Sequence, residues 1–191
     1  VYRLPFAIAA AVALLHALAL VGEWAVRSRS AEVARANEEA AFLDGARLAM
    51  LERVRTLDPE KDLAELLRAS AHSHPEIADL GRSKLSAHPD LRSGIVAVLR
   101  SPRAEDALTY LATHEVASAD KAELAQPVCD AFGELARAAG DTIRRSTHVR
   151  ADCFDRHTHL MLTVADAFSR ESPDYAAAIR KFRGVLDSGP A

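Results

Sequence analysis

DPEKDLAELLRASAHSHPEIADLGRSKLSAHPDLRSGIVAVLRSPRAEDALTYLATHE, residues 58–115, is punctuated by proline. Asp58-Pro59, His74-Pro75, His88-Pro89 and Ser101-Pro102 each place proline directly after a residue able to cap a helix. Proline is tolerated in a first helical turn because its missing N–H would be unpaired there anyway, so each pair reads as a helix start. Between the marks, Leu63, Leu66 and Leu67, then Ile77, Leu80 and Leu85, then Leu91, Ile95, Val98 and Leu99, then Leu108 and Leu111, recur at helical spacing. That spacing lines one face of an α-helix. It predicts helices over 59–71, 75–86, 89–100 and 102–115. His74-Pro75-Glu76-Ile77 also recurs in kind as His88-Pro89-Asp90-Leu91, an internal echo.

Toward the C-terminus the same reading predicts helices over 120–139, 141–156, 158–170 and 173–187. Gly140-Asp141 serves as a turn, and Ser172-Pro173 as the last start signal. No stretch alternates at period two with β-branched and aromatic residues, so no strand is expected and the fold class is all-α. Short connections make sequence neighbours pack as antiparallel hairpins. Hairpins in series suggest an α-solenoid-like array over residues 58–191, each unit burying its face against its neighbours.

Toward the N-terminus, Arg27 to Leu57 is rich in Ala, Glu and Arg, with Val33, Ala36, Ala40, Leu43, Ala46, Leu48, Met50, Leu51 and Val54 at helical spacing. This predicts a juxtamembrane stalk helix over 27–57, with Gly45 a weak point. Leu4 to Gly22 carries no formal charge; as a helix it spans about 28 Å, close to the roughly 30 Å hydrocarbon core of a bilayer. Pro5 suits a first turn, and Trp24 follows where an interfacial aromatic lies. Residues 1–26 are therefore expected to be a transmembrane anchor. The rival is a signal peptide cleaved near Ala17-Leu18-Ala19, and continuation of the apolar run through Leu20 and Val21 favours the anchor. Arg3 and the amino terminus oppose Arg27, Arg29 and Arg35, a margin that leans the charge rule slightly toward a cytoplasmic C-terminal part.

The chain has 191 residues, 24 Lys+Arg against 27 Asp+Glu and a formal net charge of -3. Without a net basic character there is no electrostatic basis for nucleic-acid binding. Two cysteines are too few for a disulfide-built scaffold, and 27% charged residues argue against a multi-span membrane protein.

Residues Met161 to Pro190 resemble a tetratricopeptide repeat. Val164, Ala165 and Phe168 stand where that family's first helix has Leu, Gly and Tyr; Asp174-Tyr175 resembles its turn; Ala178, Phe182 and Pro190 match the second-helix Ala, the aromatic and the closing Pro. Val185 departs from the usual small residue, and Ser172-Pro173 shortens the turn. An earlier echo sets Gly140-Asp141 against Pro173-Asp174 and Phe132-Gly133 against the family's Leu and Gly, with Arg145 where Ala is wanted. Residues 75–115 resemble HEAT-type pairs, Pro102 to Leu108 being the suggestive piece. Both resemblances imply an interaction scaffold. Trp24 through Leu67, with Ala46-Arg47-Leu48-Ala49 and Asp58-Pro59-Glu60-Lys61, also resembles the membrane-proximal region of bacterial signalling proteins such as Ser/Thr kinases, which would place any enzyme domain outside this chain.

Cys129 and Cys153 are the candidate disulfide. If 120–139 and 141–156 form a hairpin turning at Gly140-Asp141, each lies twelve residues from residue 141 and antiparallel packing brings them to one height. Two buried thiols are an equal reading. A disulfide would indicate an oxidising compartment and an extracytoplasmic domain. His148, Asp152, Cys153, Asp155, His157 and His159 concentrate in one segment, with His148/Asp152 and Cys153/His157 four apart as zinc chelation requires, yet no fourth ligand is identifiable and no metal site is assigned. Nucleophile-elbow, phosphate-loop, His-Glu-x-x-His and Cys-x-x-Cys motifs are all missing from the sequence, so no catalytic residue or cofactor site is assigned. His72, His74, His88 and His114 fall near helix ends and read as caps; Arg144, Arg145 and Arg150 read as surface. The expectation is a non-catalytic, membrane-anchored interaction module. Its partners are the lipid bilayer and a protein or peptide; the alternative is part of a larger signalling protein.

Overall fold

Helix-spaced leucine and alanine lead to an all-α structure: among the described residues every regular element is helical and no strand occurs. The structure is a computed structural model. It describes the backbone of residues 3–145, 151–171 and 173–187, and side chains at 24, 29, 32–145, 153–171 and 173–187. The elements are α1 (Arg3–Thr56), α2 (Leu63–Ser70), α3 (Pro75–Leu85), α4 (Leu91–Leu99), α5 (Ala104–Thr113), α6 (Ser118–Arg145), α7 (Asp155–Ala167) and α8 (Tyr175–Asp187), with a short 3-10 turn at Ala151–Phe154.

The chain divides into two compact units, Val1–Met50 and Leu51–Ala191. In the first, the described side chains of α1 are almost all exposed, Trp24, Val33, Phe42, Leu43 and Leu48 among them. Among the described residues no helix is long and apolar enough to cross a membrane. The segment Leu4 to Gly22, from which a span was expected, lies outside the residues whose side chains are described.

The second unit holds the core. Leu51 and Val54, on the last turns of α1, are buried here. Lys84 of α3 donates to the carbonyls of Arg55 and Leu57, each at 2.6 Å, satisfying acceptors that a helix end leaves open. α2 packs on α3 and α5, α4 on α5 and α6, α5 on α7, and α6 on α8. Glu65 of α2 joins Arg53 at 2.8 Å and Arg103 at 3.5 Å, tying three elements by exposed ion pairs of modest worth. α3 lies against the end of α2 so closely that a Cβ at Gly81 would stand 2.6 Å from the Ser70 amide nitrogen. Only glycine permits that backbone approach.

Of the five proline marks, one is the first residue of a helix and four precede their helices. Pro75 is the first residue of α3, as predicted. α2, α4, α5 and α8 instead begin at Leu63, Leu91, Ala104 and Tyr175, two to four residues after their prolines. The Asp58 carboxylate accepts the amides of Glu60 and Lys61, and the Ser101 hydroxyl accepts that of Arg103. Asp and Ser side chains bonding to backbone two or three residues on close a local turn over the proline before any helix begins.

A larger correction concerns Gly140-Asp141. The predicted turn and the separate helix 141–156 are absent: α6 runs unbroken from Ser118 to Arg145, and no described residue has a positive φ. Gly140 is buried, and a Cβ there would come within 3.2 Å of Val185 on α8. Its small size serves helix packing, not chain reversal. Asp141 stays helical and pairs with Arg144 at 2.6 Å. α6 also carries Pro127 inside it, which removes the amide that would bond the Glu123 carbonyl; the helix tolerates this because its buried stripe, from Leu124 through Val128, Phe132, Ala136 and Ala139 to Ile143, is long.

Candidate interaction site

α7 and α8 bury Met161, Val164, Phe168, Tyr175 and Phe182. Phe182 meets Phe154 edge-on at 6.4 Å, and Tyr175 meets Phe132 of α6 at 5.9 Å. The Tyr175 hydroxyl donates to the Ala125 carbonyl at 3.0 Å; burial pushes its pKa up to about 12, the Cys129 thiol and Glu171 adding to the rise. These contacts fix α8 on α6, while among the described residues the other side of the α7–α8 pair is left open.

There, Met161, Leu162, Ile179, Phe182 and Leu186 line a groove of about 450 Å³. Met161 and Phe182 form a buried floor; Ile179 and Leu186 are half-buried; Leu162 is 51% exposed. Asp155, Arg183 and Asp187 stand at the edge, Arg183 and Asp187 paired at 3.9 Å. An apolar floor under a charged rim is the usual make-up of a contact site. The sequence singles out Asp155 in the histidine-rich segment and Met161 and Phe182 in the repeat-like stretch, but nothing in it joins them to Leu162, Ile179, Arg183, Leu186 and Asp187 as one groove. Ile179, Phe182 and Leu186 do recur at i, i+3 and i+7, a legible stripe, but nothing in the sequence says that the stripe lacks a cover.

Further clefts carry polar groups, most of which pair with one another. Beside α5, Lys121 donates to the Ala167 carbonyl at 2.8 Å and lies 5.8 Å above the Phe168 ring. His114 stacks on Tyr110 with ring centroids 4.3 Å apart, and its Nδ1 lies 3.1 Å from the Tyr110 carbonyl. Burial lowers the His114 pKa below the usual imidazole value, and its Nε2 is buried with no partner among the described residues. A cleft between α5 and α6 includes Glu134 and Arg137, which pair with each other.

Cys129 is half-buried on α6, and burial, followed by Asp130 and Asp174, pushes its thiol pKa up. Cys153 is exposed in the 3-10 turn Ala151–Phe154. With α6 continuous through Gly140, the hairpin that set the two cysteines at equal height is gone. Of the histidine-rich segment, His157 lies 3.4 Å from Glu105 of α5, which Arg156 also approaches at 3.5 Å. His148, Arg150 and the Asp152 side chain lie outside the described residues. Among the described residues no three His, Cys, Asp or Glu side chains converge as metal ligands. Arg144 is exposed and paired with Asp141.

Compared with protein-family models, curated proteins and solved structures, the chain matches none of them.

Proposed function

We propose that this chain is a membrane-anchored helical-hairpin module that works by binding a protein or peptide, with residues 4–22 as the bilayer anchor and the helical domain outside the cytoplasmic membrane. The observation that carries the binding function is the apolar groove between α7 and α8, where Leu162 is half exposed above a floor of Met161 and Phe182. An exposed leucine beside a concave apolar floor loses water-contacting area when a partner residue enters, at roughly 25 cal/mol for each Å² removed. The uncharged run from Leu4 to Gly22 and the exposed Trp24 that follows it support the anchor. The likeness of Met161 to Pro190 to a tetratricopeptide repeat supports the scaffold role, Val164, Phe168 and Phe182 being buried as that pattern requires.

The test is a photo-crosslinking amino acid at Leu162 in cells expressing the full chain. A discrete cross-linked protein that disappears when Ile179→Glu is added would support the reading. Absence of any product that depends on the groove would sink it.

A further inference from the structure

The sequence echo of His-Pro pairs leads to a shared device that the repeat pattern did not describe. His74 is the N-cap residue of α3, and its backbone amide donates to Nδ1 of His72 at 3.0 Å. Asp90 is the N-cap residue of α4, and its backbone amide donates to Nδ1 of His88 at 3.1 Å. In both linkers an imidazole two residues upstream accepts the amide of the residue that opens the next helix. A ring accepting at Nδ1 is neutral and carries its proton on Nε2. Protonation places a second N–H at Nδ1, so each N-cap amide then faces a donor where it had an acceptor.

We propose that His72 and His88 form a proton-sensitive joint that holds the starts of α3 and α4 at neutral pH and releases both in acid. The effect is local because the two linkers bracket α3, which rests on α2 through the close approach at Gly81. The His88 ring is seated against α4, since a Cβ at Gly94 would come within 3.2 Å of its Cε1 and within 2.3 Å of Leu63 on α2. A positive charge at either ring would also sit at a helix N-terminus, where the backbone dipole disfavours cations.

The surrounding charges set the order of the two effects. His88 faces Asp90, whose carboxylate accepts the Ser93 amide at 3.1 Å and hydroxyl at 2.6 Å, and which attracts an imidazolium. Arg92, on the same turn, is drawn to Glu123 and Asp120 of α6. His72 has only Ser73 between itself and His74; the charged residues on the flanking helix turns are Arg68 and Glu76, one of each sign. Release is therefore larger at His72 than at His88, where Asp90 offsets part of it.

The test is amide hydrogen exchange of the full chain in detergent, corrected for intrinsic rates and compared between about pH 8 and about pH 5. Relative to the variant His72→Asn plus His88→Asn, whose amide oxygens accept the same N–H groups without titrating, the wild type should open α3 about fivefold more in acid, the worth of one modest hydrogen bond, and α4 by a smaller factor. α8 serves as the internal reference and should respond equally in both proteins. The remaining histidines, including His74, whose buried Nδ1 has no partner among the described residues, are present in both and cancel. An equal acid response in α3 and α4 of the two proteins would overturn the proposal. Nitrogen chemical shifts of the wild type at pH 8 decide independently of the variants' folding: both rings must show the Nε2–H tautomer, and an Nδ1–H tautomer at either ring would overturn it.

Discussion

Two pairs of consecutive helices in this domain meet in different ways. α2 and α3 touch backbone to backbone, because Gly81 offers no side chain where the end of α2 passes. α7 and α8 are held apart by Met161, Leu162, Ile179, Phe182 and Leu186, and the separation is the groove. Both pairs are short and leucine-bearing. The difference is set by what stands at the contact: a missing side chain closes one pair, and large flexible ones leave the other with an uncovered apolar floor.

Changes at the two contacts test that comparison. Phe182→Ala should remove the floor of the groove and its edge contact with Phe154, lowering stability by about 4 kcal/mol in denaturant titration. A loss under 1 kcal/mol would mean that α8 is not held by this ring. Gly81→Ala should cost about 2–3 kcal/mol, since the new methyl meets the backbone of Ser70 and Ala69 rather than a side chain that can yield. Gly184→Ala on α8 meets nothing within 4 Å among the described residues and should instead stabilise, by about 0.5–1 kcal/mol, through the better helix propensity of alanine. Opposite signs for the two glycines are the expected result; equal signs would break the contrast.

Between these in size, Tyr175→Phe should cost about 1 kcal/mol through loss of the bond to Ala125. It carries a pH signature. The folded tyrosine ionises near pH 12, against about 10 when unfolded, so its stabilisation is complete below about pH 10 and is lost as the pH rises toward 12. Thermal unfolding followed over that range should converge for wild type and variant; parallel curves would remove Tyr175 as the cause.

Much of this architecture is legible in the residues. Leu63, Leu66 and Leu67, or Ile95, Val98 and Leu99, place a buried face on a helix, and all six are buried or nearly so. Helix starts were harder to read, because Asp58 and Ser101 have two competing uses, capping a helix or closing a turn over the following proline, and local bonding chose the turn. Gly140 shows the same ambiguity at larger scale. Glycine beside aspartate suits a reversal, yet a glycine also admits a neighbouring helix, and which applies depends on Val185, forty-five residues away. The groove was illegible for a related reason: the stripe Ile179, Phe182, Leu186 looks like any core face until the helix that might cover it is seen to lie elsewhere. Aromatics make up only 5% of the chain, yet Phe132, Phe154, Phe168, Tyr175 and Phe182 are all buried in the α6–α8 part.

The close approach at Gly81 also limits what could compensate for its loss. A Cβ that collides with main chain cannot be accommodated by trimming a neighbouring side chain, so any replacement at Gly81 must shift a whole helix, whereas Gly184 meets nothing within 4 Å among the described residues and carries no such constraint.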